Sequence, residues 1–317
     1  MLMINIFVLI IALAVLIFGA NKFVDASSNY AAYFGVNEFF IGLTIVALGT
    51  SIPELFVAVS AIFNRLESVA IGTIVGSNIA NIALIFGISC FSIASVKVKA
   101  NFISLIPVAL VVMLFAVTLQ DQIISNIEVL GFILIFLFFI YALLQDKNNI
   151  DIETISTDFS KIREFIYLLM GFLFIVIGSN LTVIYAEKVA VNLGVSELII
   201  GLSILALGTS LPELATTITA LSKGKNEMVV GNIIGSNVLN FVLVIPLLGI
   251  SSNFVISNQL LDRDLVPLII STAMFIALAL IISKYVLSRW IGVMFGISFL
   301  TFYILYIASV SGIVEIF

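Results

Sequence analysis

The chain has 317 residues, 62% of them hydrophobic and 10% charged, with a formal net charge of −5 and a mean hydropathy of +1.31. A soluble domain carries about 25% charged residues, so these proportions exclude a water-soluble globule and make the lipid bilayer the solvent. An acidic balance without a basic patch excludes nucleic acid as a partner, and the absence of histidine removes the commonest zinc ligand and the usual proton carrier near neutral pH.

The first apolar stretch, 3–20, begins almost at Met1. It has neither a basic flank nor a small-residue cleavage site, so it reads as a retained span and not as a secretory signal. Nine further stretches are long enough to cross a bilayer as helices, which takes about 20 residues. They run at 39–63, 69–91, 103–120, 125–144, 165–185, 198–221, 228–250, 266–283 and 290–312. The expected fold class is therefore all-α integral membrane, with ten transmembrane helices. The single cysteine, Cys90, lies inside the third stretch and has no partner for an intrachain disulfide. The one long polar stretch, 145–164, separates a first half, 1–144, from a second, 165–317, with five spans in each.

The halves repeat. A gapless shift of 159 residues lays Glu38-to-Glu54 (EFFIGLTIVALGTSIPE) on Glu197-to-Glu213 (ELIIGLSILALGTSLPE), and GTIVGSNIAN, ending at Asn81, on GNIIGSNVLN, ending at Asn240. The same shift pairs Gly19, Asn21, Gly35 and Val36 with Gly178, Asn180, Gly194 and Val195. Shared apolarity does not explain the match, because the matched residues include Thr, Ser, Pro, Glu and Asn. Five spans per half is odd, so the second half enters the membrane from the opposite side. This is the inverted repeat of secondary transporters, with the substrate site near the midplane. Counting faces alternately, ten of the thirteen Lys and Arg fall on one face and only Arg65, Lys188 and Arg263 on the other. The positive-inside rule makes the richer face cytoplasmic. Both termini are then outside and the 145–164 linker inside, in what we expect to be a prokaryotic plasma membrane.

Of eighteen acidic residues, only Glu54 and Glu213 fall well inside expected spans. A charge at the centre of a membrane helix costs about 2.5–3.5 kcal/mol on insertion scales. Snorkelling does not relieve it, since both residues are far from the flanking loops. No basic residue lies deep in a span, so the natural counter-charge is a bound cation. Each glutamate ends Gly-Thr-Ser-x-Pro-Glu. Pro53 and Pro212 have no N–H, which deprives the carbonyls of Gly49 and Gly208 of their helical partners. Broken backbone at membrane depth is tolerated where it lines a polar cavity. Thr50 and Thr209 lie four residues before the glutamates, on the same helical face, with Ser51 and Ser210 adjacent. A hydroxyl can instead bond back to its own helix, but the same set twice over beside a glutamate favours a site. In the next span of each half, Ser77 and Asn81, and Ser236 and Asn240, are four apart and share a face, which we also assign to the site. Asn78 and Asn237 point elsewhere and read as bonds between helices, with Gly76 and Gly235 allowing close approach. Carboxylates, hydroxyls, amides and carbonyls are hard oxygen ligands, suited to sodium, calcium or magnesium. One calcium, or several sodium ions, would cancel the two repelling charges.

The pairs GTSIPE/GTSLPE and GSNIAN/GSNVLN closely resemble the two alpha repeats of the calcium/cation antiporter superfamily, in its sodium/calcium exchanger branch. The motifs cover 38–90 and 197–249, about a third of the chain. The resemblance implies that Glu54 and Glu213, with the carbonyls of Thr50 and Thr209, ligate calcium. It implies that Ala47, Ser51, Thr209 and Ser210, with Ala206, Thr50, Ser77 and Ser236, ligate sodium, and that Asn81 and Asn240 border the central position. It further implies electrogenic exchange of sodium for calcium, with spans 1 and 6 sliding across the other eight. Proton-coupled relatives have Gly-Asn-Ala before the glutamate, which favours sodium here. Potassium-dependent members typically have aspartate where this chain has Asn240. Some prokaryotic relatives have that aspartate too, so Asn240 is a departure that bears on stoichiometry. A linker of about 20 residues has no room for the regulatory domains of animal exchangers.

Two other readings compete. A calcium or other cation/proton antiporter of the same fold would use the same titratable glutamates. A cation channel would build its filter by oligomeric symmetry, whereas this chain carries its own two-fold repeat. An enzyme is disfavoured, because there is no nucleophile–base pair and no nucleotide-binding glycine loop. The expected partners are calcium and sodium ions and the lipid bilayer, with no cofactor and no obligatory protein partner.

Overall fold

Inside lipid a backbone has no water to bond, so an apolar segment satisfies its N–H and C=O groups by coiling into a helix. The computed structural model describes residues 2–93, 98, 102–146, 160–194, 208, 210–251 and 263–312. Among these there is no β-strand. The helices are α1 (Leu2–Phe34), α2 (Glu38–Phe63), α3 (Glu67–Ile93), α4 (Phe102–Asp121), α5 (Asn126–Asp146), α6 (Lys161–Asn192), α7 (Leu211–Ser222), α8 (Asn226–Ser251), α9 (Leu265–Lys284) and α10 (Arg289–Val310). All but α7 are long and apolar enough to cross a membrane. The N-terminal part of the expected span at 198–221 lies outside the described residues, and α7 is its C-terminal part. Most of the linker also lies outside them.

Local signals set the helix ends. Asn37 caps α2 by accepting a hydrogen bond from the N–H of Phe40 at 2.7 Å, and Ser288 caps α10. Ser125 and Glu128 form a reciprocal capping box at the start of α5. Gly35 and Gly194, paired by the repeat, both take left-handed φ values, of 62° and 76°, and so terminate α1 and α6.

Two expected boundaries are corrected. The first span does not end at 20, nor does the sixth occupy 165–185. α1 has 33 residues and α6 has 32, about 50 Å each at 1.5 Å per residue. The polar residues past the apolar window find partners and so do not stop the helix. Lys223 pairs with Asp25 at 2.6 Å. Asn29 donates to Glu164 at 2.9 Å, and the Lys22 ammonium sits 4.7 Å from the ring centroid of Tyr167. Residues 161–164, read as linker, thus belong to α6. The expected backbone break at Pro53 is also corrected. The helix runs through Pro53, and the irregularity lies upstream, as a widened π-helical turn at Gly42–Val46. Pro212 sits in the first turn of α7, where a missing N–H is harmless.

The molecule is organised as a central group flanked by a pair. In their most apolar stretches α3 and α8 have 72% and 78% of residues buried, against 17% in α1 and 28% in α6. α1 and α6 lie against each other through glycines. A Cβ on Gly19 would stand 2.7 Å from the Ile175 nitrogen, and one on Gly178 would stand 2.6 Å from that of Leu16. Phe86 of α3 packs edge-on against Phe275 of α9 and Phe299 of α10, with centroids 4.8 and 5.6 Å away. Outward-facing Phe7, Ile10, Ile17, Met113 and Ile304 are exposed, as expected of a lipid-facing surface. Contacts between connections agree with the alternating faces. Lys223 reaches Asp25, Lys225 pairs with Glu38, and Val98 bonds to Ile282. Elsewhere Tyr306 donates to Asp264 at 3.1 Å, and Gly249 abuts Ile124 and Val129.

Candidate cation site

The GTSIPE motif lies in α2 just past the π-helical turn, and its polar face turns inward. Thr50, Ser51 and Glu54 are 1%, 0% and 2% exposed. The matching motif brings Ser210 to the N-cap of α7 and Glu213 into its first turn, both 2% exposed. The two glutamates approach closely enough to interact, and Ser51 Oγ donates across the repeat to Glu213 Oε1 at 3.4 Å. Ala47 is fully buried at the point where Gly235 of α8 leaves no room for a Cβ. The carbonyl-bearing glycines of the two motifs are also equivalent in space. Gly49 meets the Phe23 ring of α1, and Gly208 meets Val183 of α6. The calls at Ala206 and Thr209 lie outside the described residues.

The GSN motifs sit in α3 and α8. Ser77, Asn81, Ser236 and Asn240 are all buried. Asn240 Nδ2 donates to Asn78 Oδ1 at 2.9 Å and lies 3.4 Å from Ser77 Oγ. Asn78 Nδ2 donates to the carbonyl of Asn237 at 3.0 Å, so Asn78 ties α3 to α8, as expected. The Asn237 side chain instead donates to Ile233 of its own helix at 2.7 Å. Thr50 makes the back-bond that its motif argued against, with Oγ1 3.0 Å from the Val46 carbonyl. That bond engages only its proton and leaves a lone pair free.

Several buried oxygens here have no hydrogen-bond partner among the described residues: both of Glu54, Glu213 Oε2, Ser210 Oγ, Asn81 Oδ1 and Asn240 Oδ1. A buried polar atom left unpaired costs about 1–3 kcal/mol. All six belong to the two motif pairs, two carboxylates included, and a cation is the ligand whose charge would pair them. No third acidic side chain joins the pair among the described residues. Two further buried residues lie outside the motif positions singled out in the sequence. Asn232 Oδ1 lies 3.3 Å from Thr50 Oγ1, and Thr217, one turn beyond Glu213, buries an unpartnered hydroxyl. Both break the repeat, since their counterparts are Thr73 and Ala58, and that asymmetry was the available signal.

The profile of the sodium/calcium exchanger protein family matches residues 4–145 and 163–312. The chain belongs to the sodium/calcium exchanger family. An uncharacterized membrane protein of Methanocaldococcus jannaschii is 32% identical over 312 residues, covering 98% of this chain and 99% of that one. The sodium/calcium exchanger MaX1 of Methanosarcina acetivorans is 45% identical over 89 residues, 28% of this chain and 25% of its own length. A structure of the sodium-calcium exchanger NCX_Mj superposes with a TM-score of 0.76 at 28% identity, over 98% of this chain and 99% of the other. The all-helical inverted-repeat fold is thus the exchanger fold, and the chain is a membrane antiporter of the cation/calcium exchange class.

Proposed function

We propose that this protein exchanges sodium for calcium at one site centred on Glu54 and Glu213, by alternating access. The observation that carries the reading is the buried, mutually repelling carboxylate pair, which has no basic partner among the described residues and whose motifs bury further unpaired oxygens. Calcium takes six to eight oxygens. In this reading the glutamates and the carbonyls of Thr50 and Thr209 hold it. Sodium ions use those glutamates with Ala47, Ser51, Ser77, Asn81, Ala206, Thr209, Ser210, Ser236 and Asn240. Either occupant cancels the charge that the other would, so the two exclude each other, and mutual exclusion is what couples their flows.

The α1–α6 pair supports the second half of the proposal. It is held together through glycines and meets the site at Gly49 and Gly208, so its movement would open one side as it closes the other. The richer basic face is assigned to the cytoplasm, with both termini outside. The test is calcium-45 uptake into proteoliposomes driven by an outward sodium gradient at clamped pH, with and without a potassium ionophore. Uptake should require the sodium gradient and respond to membrane potential. Uptake driven by a pH gradient and indifferent to sodium would replace this reading with the proton antiporter, and a large passive conductance would replace it with a channel.

A further inference from the structure

A hydroxyl that ligates a cation offers a lone pair, so its proton must point at some other acceptor. At this site water is no substitute, because Thr50, Asn232 and Ser236 are at most 2% exposed. The Oδ1 atom of Asn232 lies 3.3 Å from Thr50 Oγ1 and 3.5 Å from Ser236 Oγ. One amide oxygen therefore faces a hydroxyl from each half of the chain. Thr50 has a second acceptor in the Val46 carbonyl at 3.0 Å. Ser236 has no other acceptor among the described residues. Asn232 comes within reach because Gly231 and Gly235 let α8 lie directly on the backbone of α2 around Phe39 and Leu43. The repeat does not supply the same device twice. The counterpart, Thr73, turns its hydroxyl onto its own helix at Val69, 2.8 Å away.

We infer that Asn232 is a positioning residue that sets monovalent-cation affinity. Its Oδ1 draws the hydroxyl proton of Ser236 away from the ion, shares that of Thr50 with the Val46 carbonyl, and so aims their lone pairs at sodium. The inference rests on the sodium reading above. Calcium, held by carboxylates and backbone carbonyls, does not need those protons turned, so the effect is selective between the two ions. Ser236, with no second acceptor, depends on Asn232 more than Thr50 does.

The experiment compares wild type, Asn232→Leu, Asn232→Asp, Ser236→Ala and the double variant Asn232→Leu/Ser236→Ala in proteoliposomes. Sodium-dependent calcium uptake gives the sodium concentration for half-maximal exchange. Calcium–calcium exchange in sodium-free buffer gives the calcium half-saturation. Loss of one hydrogen bond should raise the sodium value in Asn232→Leu by about three- to tenfold, with the calcium value little changed. Asn232→Asp keeps an acceptor oxygen and should hold sodium at least as well as wild type. The double variant should be weakened by less than the two single effects multiplied, because Asn232 acts in part through Ser236. Equal weakening of sodium and calcium in both Asn232 variants would reduce the residue to packing and overturn the inference. So would a wild type that needs sodium and an Asn232→Leu variant that needs no more of it. Exchange by the wild type without any sodium dependence would overturn the sodium reading itself, and this inference with it.

Discussion

Glu54 and Glu213 sit where a charge is costly, yet among the described residues no arginine or lysine pairs with either. Their neighbours contribute oxygens that are themselves unpaired. In the proposed reading such an arrangement raises the energy of the empty site and favours a cation in it. Replacing either glutamate with glutamine should abolish calcium exchange while leaving the protein folded. The change removes half the site charge, and with it an insertion cost of about 2.5–3.5 kcal/mol, so the detergent melting temperature should hold or rise. Calcium-45 exchange at the wild-type rate in Glu54→Gln or Glu213→Gln would refute the proposed centre. Both glutamates stand out in the sequence, because an acid in an apolar run is conspicuous without any knowledge of the fold. Asn232 does not. Its polar neighbours in the chain are ordinary, and its contact with Thr50 joins residues 182 positions apart.

Helix α1 meets α6 backbone to backbone. Gly19, Gly171 and Gly178 each leave room for no side chain, with an added Cβ falling 2.6–2.7 Å from the nitrogen of Phe23, Leu16 or Ile175. In lipid, where the hydrophobic effect does not drive helices together, close approach at small residues is what holds a pair. Gly178→Leu should push the pair apart and destabilise the protein by about 1–3 kcal/mol, the usual range for overpacking. It should slow exchange as well, because the same pair presses on Gly49 and Gly208 beside the site. Thermal melting and calcium-45 uptake of the variant check this, and wild-type values in both would show that the crossing is loose. The Gly19–Gly178 equivalence was visible in the repeat. The full length of these helices was not, because hydropathy falls where Lys22, Asp25 and Asn29 begin. Those residues stay helical because α6 and the C-terminal end of α7 supply their partners.

At the scale of the whole molecule, the proposed shared site makes a thermodynamic demand. A ligand that binds the native state stabilises it by RT ln(1 + [L]/Kd), about 2.7 kcal/mol at a hundredfold excess over Kd. Calcium and sodium should each raise the melting temperature in detergent. The increment from calcium should shrink steeply as sodium rises, since several sodium ions displace one calcium. Full additivity at saturating levels of both ions would indicate separate sites and remove the basis for exchange. Composition and order alone determined that the chain lives in a bilayer and that it divides into two inverted halves, and they singled out Glu54 and Glu213 as the candidates for its chemistry. These are properties of local hydropathy and of matched positions, and lipid enforces them without reference to tertiary contacts. Only the tertiary structure decided that the polypeptide stays helical through Pro53, that α1 and α6 extend past their apolar windows, and that Asn78 links two helices while Asn237 bonds to its own. Only it decided that Asn232 faces hydroxyls from both halves. Each of these depends on which side chain from the other half of the chain lies within about 3 Å, the reach of a hydrogen bond, and helix packing sets that distance where neighbours in sequence do not.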